Sequence, residues 1–250
     1  TLAAELDGDV ADERSGHAVA LNYAGDVLAV GAPYYRTDGS GAQAGQVRVY
    51  SWNGATTCPF AGATTCGWDQ MDPAISGPIW TIDAHEGYRH FLGTDVALSA
   101  DGHTLAIGVP THSGAEDATR TKNPPGYARV YTWSGTSWVL KGSILEGDSR
   151  GERFGSAVSL SVSGDVLAVG LTAGGGKTRV YAWDGGSWRK LGSDLATSSS
   201  GGGSCVSLSS DASLLLMLSA GSNSRGEAEL FEASFYETAP PLPPGPVPPA

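Results

Sequence analysis

A chain of 250 residues, 40% of them hydrophobic, can bury a core, so a globular domain is expected rather than disorder. Its 36 glycines and 14 prolines, scattered among short apolar runs, argue against helical layers and for an all-β class of short strands and turns. The formal charge of −11, from 15 Lys+Arg against 26 Asp+Glu, argues against nucleic acid or an anionic membrane surface as partner, because phosphate contact needs concentrated positive charge.

The N-terminal stretch Ala4 to Asp9, AELDGD, aligns without a gap on Ser143 to Asp148, SILEGD, far along the chain. No secretory leader opens the chain at Thr1, so either a leader has been removed or the chain is trimmed, and no stretch reaches the roughly 20 apolar residues of a membrane span.

From Gly16 onward one pattern recurs four times, anchored on Gly16, Gly93, Gly155 and Gly203. Val19, Val96, Val158 and Val206, followed two residues later by Leu21, Leu98, Leu160 and Leu208, give the period of two expected of a strand. A short turn rich in Asp and Gly comes next, and a second strand falls in step at Leu28, Leu105, Leu167 and Leu215. A third strand reads VRVYSW at Val47 to Trp52, ARVYTW at Ala128 to Trp133, TRVYAW at Thr178 to Trp183, and more weakly AELFEA at Ala228 to Ala233. Its arginines, Arg48, Arg129 and Arg179, invite reading as anion-binding groups, but pairing with Asp or Glu at strand edges is the simpler expectation.

The segments SWVLKGSILEGD from Ser137 and SWRKLGSDLATS from Ser187 supply a fourth strand, with Ile79 to Gly87 as the expected counterpart in the first copy. The last copy has none, and the N-terminal strand is expected to complete it. That circular offset predicts a β-propeller of four blades of four antiparallel strands, closed by the N-terminal strand. The blades fall around 10–85, 86–148, 149–198 and 199–236 plus 1–9, in one domain over 1–238, followed by a proline-rich extension over 239–250.

Insertions lengthen the first two copies, where binding surfaces often grow. In the first, Cys58 and Cys66 flank a Gly/Thr-rich loop and are expected to form a stapling disulfide in an oxidising, extracellular compartment. Cys205 is expected to be a small buried strand residue. Trp52, Trp133, Trp138, Trp183 and Trp188 recur at repeat positions and are expected to pack between blades. Trp68 and Trp80 stand beside the first insertion and are the candidates for stacking on a sugar or protein, with Tyr34, Tyr35 and Tyr88 as companions.

Catalytic signatures are missing. The run GGGKT at Gly174 to Thr178 precedes a strand and reads as a turn, not a phosphate loop. His85, Glu86 and His90 near Asp83 fit no metal-ligand spacing, so no metal site is expected. Asp7, Asp9, Asp12, Glu13, Glu146, Asp148 and Glu152 are the candidates for the paired carboxylates of glycoside hydrolysis, and their recurrence at equivalent links favours solubility or turn roles over one active site. No cofactor is expected; if those acids bind anything, a weakly held divalent cation is the first guess.

The pair Phe154-Gly155, the triplet Gly31-Ala32-Pro33 and its variant Gly108-Val109-Pro110 resemble the FG-GAP repeat of integrin-type heads and other cell-surface β-propellers. Calcium-carrying members of that family use a D-x-D-x-D-G type loop that the short turns here lack. The tail, PPLPPGPVPPA, favours a stiff polyproline II spacer and resembles hydroxyproline-rich wall glycoproteins. That resemblance implies hydroxylation and glycosylation at Pro240, Pro241, Pro243, Pro244, Pro246, Pro248 and Pro249. The expectation is a non-catalytic structural or adhesive module of a cell-surface filament or matrix, partnered by other extracellular glycoproteins or copies of itself. A receptor or lectin propeller that binds glycans or proteins is the alternative.

Overall fold

The computed structural model describes residues 6–36, 43–55, 67–77, 89–110, 125–198, 202–219 and 226–232. Those residues form eighteen strands and no helix. The first sheet holds β1 (Ala18–Leu21), β2 (Val27–Ala32), β3 (Gln43–Trp52), β4 (Trp68–Gln70) and β5 (Ile75–Ser76), and β6 (Arg89–Leu92) runs parallel to β3. The second holds β7 (Asp95–Leu98), β8 (Thr104–Val109), β9 (Tyr127–Trp133), β10 (Trp138–Leu140) and β11 (Leu145–Glu146). The third holds β12 (Phe154–Leu160), β13 (Val166–Leu171), β14 (Lys177–Trp183) and β15 (Trp188–Leu195). The fourth holds β16 (Cys205–Leu208), β17 (Leu214–Ser219) and β18 (Glu227–Glu232).

The repeat sets the register. Val19 pairs with Val30, Val96 with Ile107, Val158 with Val169 and Val206 with Met217, so each opening hairpin aligns its large apolar residues on one face. The turns between these strands place Gly25, Gly102 and Gly164 at positive φ, where a Cβ is unwelcome; the fourth copy puts Ala212 there instead, at φ 58°.

The second, third and fourth sheets each seat their Val and Leu face on the sheet before. Val96 and Leu98 pack with Ala29 and Val49, Val158 and Leu160 with Ala106 and Val130, and Val206 and Leu208 with Ala168 and Val180. Small residues make that approach close. A Cβ on Gly31, Gly108 or Gly170 would lie far inside van der Waals contact of the carbonyl oxygen of Gly93, Gly155 or Gly203 in the next sheet. A second tie joins the opening hairpins: Tyr23 N–H donates to Ala100 O (3.1 Å), Ala100 N–H to Val162 O (2.9 Å) and Val162 N–H to Ser210 O (3.0 Å), all at one repeat position.

Two expectations need correction. Among the described residues the place of the fourth strand in the first copy is taken by Trp68–Gln70 continued by Ile75–Ser76, while Ile79 to Gly87 lies outside the described residues; Trp68 pairs with Trp52 as Trp138 does with Trp133 and Trp188 with Trp183. These tryptophans meet within a hairpin, at ring separations of 5.5, 5.4 and 5.5 Å, and Trp133, Trp138, Trp183 and Trp188 also pack against the preceding sheet, as expected. Cys205 is exposed, because it lies on the face of the fourth sheet that, among the described residues, no further sheet covers. Among the described residues the fourth sheet has three strands, and no strand pairing joins it to the first; the N-terminal strand at 1–5 lies outside the described residues.

Candidate functional site

Strand β3 brings Arg48 and Tyr50, β4 brings Trp68, Asp69 and Gln70, and the link before the first sheet brings Asp7, Gly8 and Asp9 to one open groove of about 620 Å³. Alternation along β3 turns Arg48 and Tyr50 to the same side. The link is fastened there by the arginine. Its guanidinium meets Asp9 Oδ1 at 2.8 Å and Glu13 Oε1 at 2.6 Å, and donates to Ser15 Oγ (2.8 Å) and to the Asp7 carbonyl (3.3 Å). Glu13 in turn accepts from the N–H groups of Asp9 and Val10, which closes the turn around the carboxylate.

The same clamp recurs in the third sheet, where Arg179 meets Asp148 at 2.8 Å, Glu152 at 3.4 Å and Asp194 at 3.0 Å. The expected acidic partners of the repeat arginines are thus present for Arg48 and Arg179. Arg129 differs. His90 occupies the place of Glu13 and Glu152, and Ile144 that of Asp194. Arg129 lies 5.1 Å from the Tyr127 ring and donates to the Tyr131 hydroxyl at 3.4 Å. Burial, then the Arg129 charge, pushes the His90 imidazole below its usual range.

The groove itself is acidic at the mouth. Asp7, Asp9 and Asp69 line it against the single cation Arg48, which Asp9 and Glu13 already hold. Burial, reinforced by Asp9 and Glu13 and opposed by Arg48, raises the Tyr50 phenol above its usual range, so it stays a hydroxyl donor at neutral pH. Trp68 is half-buried and braced edge-on by Trp52, leaving an aromatic wall beside carboxylates and the Gln70 amide. Such a set suits a hydroxyl-rich ligand, which stacks a C–H face on the ring and donates to carboxylates, and repels polyanions. The corresponding strand residues of the other sheets are Val139 and Leu140, both exposed, and Arg189 and Lys190, which pair with Asp184 and Asp194.

Of the residues singled out for binding, Trp68 lines the groove, while Tyr34 is taken up between Arg14 (4.1 Å) and Phe91 (5.0 Å). Tyr35 does not line it. Trp80, Tyr88, Cys58, Cys66, His85, Glu86, Asp83 and the tail prolines lie outside the described residues. Among the described residues no group of three His, Cys, Asp or Glu side chains is placed to hold a metal ion. Gly174, Gly175 and Gly176 all take positive φ in the turn before β14. Tyr50, Asp69 and Gln70 escaped the sequence reading; the available signal was the match of Gly67-Trp68 to Ser137-Trp138.

No family model matches the sequence, and no curated protein matches it. The fold is similar to that of a candidate 6-phosphogluconolactonase from Bacteroides uniformis, at 14% identity and a TM-score of 0.51 over 92% of this chain and 54% of the other. Sqt1 from Chaetomium thermophilum is similar at 13% identity and 0.50, over 84% of this chain and 43% of the other. The β-propeller domain of Cps50 (Swd1) from Myceliophteria thermophila follows at 12% and 0.49, over 87% and 53%. At such identities the likeness is one of fold alone, and this chain spans about half the length of the solved structures it resembles.

Proposed function

We propose that the chain is a non-catalytic structural or adhesive module displayed outside the cell, with its four sheets serving as blades of an FG-GAP-like β-propeller. The observation that supports this reading is the bare edge of β18. The first three sheets carry further strands beyond their third, whereas among the described residues β18 pairs only with β17. An open edge is a template for strand addition, by the chain's own N-terminus or by that of a neighbour. The charge-clamped acids at the sheet links speak for assembly over turnover, since Asp9, Glu13, Asp148 and Glu152 are held by arginines. Images of native material by negative stain, with mass spectrometry of the Pro240 to Ala250 peptide, test the reading. Ordered fibres with glycosylated hydroxyproline are expected; isolated particles with an unmodified tail would overturn it.

A second reading, a propeller that binds glycans, is favoured by the Trp68 groove. A glycan array in which selective binding disappears with Trp68→Ala would support it. An array without binding would remove it.

A further inference from the structure

Every internal junction presents the same two faces, yet among the described residues the first sheet leaves one of them uncovered and the fourth sheet the other. On the first sheet Val19, Leu21 and Tyr23 are 63%, 59% and 85% exposed, whereas their repeat equivalents Val96 and Val158 are each 5% exposed beneath the preceding sheet. On the fourth sheet Leu216, Leu218 and Leu230 lie exposed, as does Cys205. Simple ring closure would bring these two faces together.

The side chains forbid it. The positions of Leu216 and Leu218 are held by Ala29 and Gly31, Ala106 and Gly108, and Ala168 and Gly170 in the other three sheets. There the glycine admits the carbonyl oxygen of the next sheet's anchor glycine at a distance no Cβ tolerates. The anchor of the first sheet is Gly16, so a Val19 face seated on the fourth sheet in the repeat geometry would drive the Gly16 carbonyl into the side chain of Leu218. The turn ties agree: among the described residues their series runs from Tyr23 through Ala100 and Val162 to Ser210 and stops.

We propose, resting on the blade reading above, that the Val19–Leu21–Tyr23 face is a docking surface for a β-sheet of the same repeat other than this chain's fourth. That sheet has alanine and glycine where this chain has Leu216 and Leu218. The two leucines are the specificity element: they bar the chain's own fourth sheet, and that of a second copy, from the site. Continuity with the three internal junctions identifies the occupant, because the uncovered face repeats the seating residues of each.

The test makes the fourth sheet resemble the others. In L216A/L218G, Tyr23 becomes resistant to nitration, by closure within one chain or by docking on a second molecule; sedimentation separates the two, and both support the steric block. Adding V19E restores nitration. The wild-type chain nitrates freely at Tyr23 at the same concentration. Protection of Tyr23 in the wild type, removed by V19E, would overturn the proposal, as would a folded L216A/L218G protein with Tyr23 still open. The converse variant Gly170→Leu separates the proposal from its premise. It must expose the fourth sheet to amide exchange at Val206 and Leu208; if it does not, the stacking reading itself fails.

Discussion

Arg48 and Glu13, from strand β3 and from the link before β1, meet at 2.6 Å with side chains only 3% and 2% exposed. The pair is worth little as net attraction, since both charges have left water, but it is costly to break. Arg48→Ala is expected to destabilise the chain by about 3–5 kcal/mol, whereas the double replacement Arg48→Met with Glu13→Leu comes close to neutral. Urea unfolding of the two variants checks the contrast, and equal losses in both would refute it.

Asp95 is a half-buried carboxylate with no cation paired to it among the described residues. Burial raises its carboxyl to about 6, against the pull of the N–H groups of Val158 and Val96. Between its unfolded value and about 6 the folded state binds the extra proton, so stability from this group is fully present below about pH 4 and is lost as pH rises through 6. The loss is roughly 3 kcal/mol. Denaturant midpoints from pH 4 to 7 should fall more steeply in the wild type than in Asp95→Asn; parallel curves would contradict this.

Much of the fold was legible in the chain itself. Four copies in step at Val19, Leu21 and Leu28 and their equivalents give the opening hairpins directly, and the arginine partners follow from Asp and Glu at matching links. The fourth strand of the first sheet was hidden because residues 53–67 separate Trp52 from Trp68, whereas only four residues separate Trp133 from Trp138. The groove was illegible for a different reason: Asp7 and Asp69 come together only through the Arg48 clamp. The exposure of Cys205 is not legible locally, because the face that carries it is covered by a following sheet in the first three sheets and, among the described residues, by none in the fourth.

Two glycine substitutions should separate steric from backbone effects. Gly108→Ala pushes a methyl into the Gly155 carbonyl and is expected to cost at least about 2 kcal/mol. Gly185 stands in open space at φ 98°, so alanine there costs only backbone strain, about 1–2 kcal/mol. Thermal melts of the two variants should rank them in that order.

Trp188 and Trp68 occupy one repeat position but should behave differently. Trp188 is buried and donates from Nε1 to the Lys141 carbonyl at 2.8 Å, so Trp188→Ala should cost about 3–5 kcal/mol. Trp68→Ala, at a half-buried position, should cost clearly less while emptying the groove wall. Paired stability measurements would show whether the first sheet keeps its tryptophan for packing or for contact.

The tie from Tyr23 to Ala100 to Val162 to Ser210 uses the same amide and carbonyl at every step. A unit in the middle of such a row cannot tell how many units flank it, so packing alone prescribes no total. On the proposal above, the number of sheets in an array is set at its margins, where a bulky pair such as Leu216 and Leu218 refuses a neighbour that alanine and glycine admit.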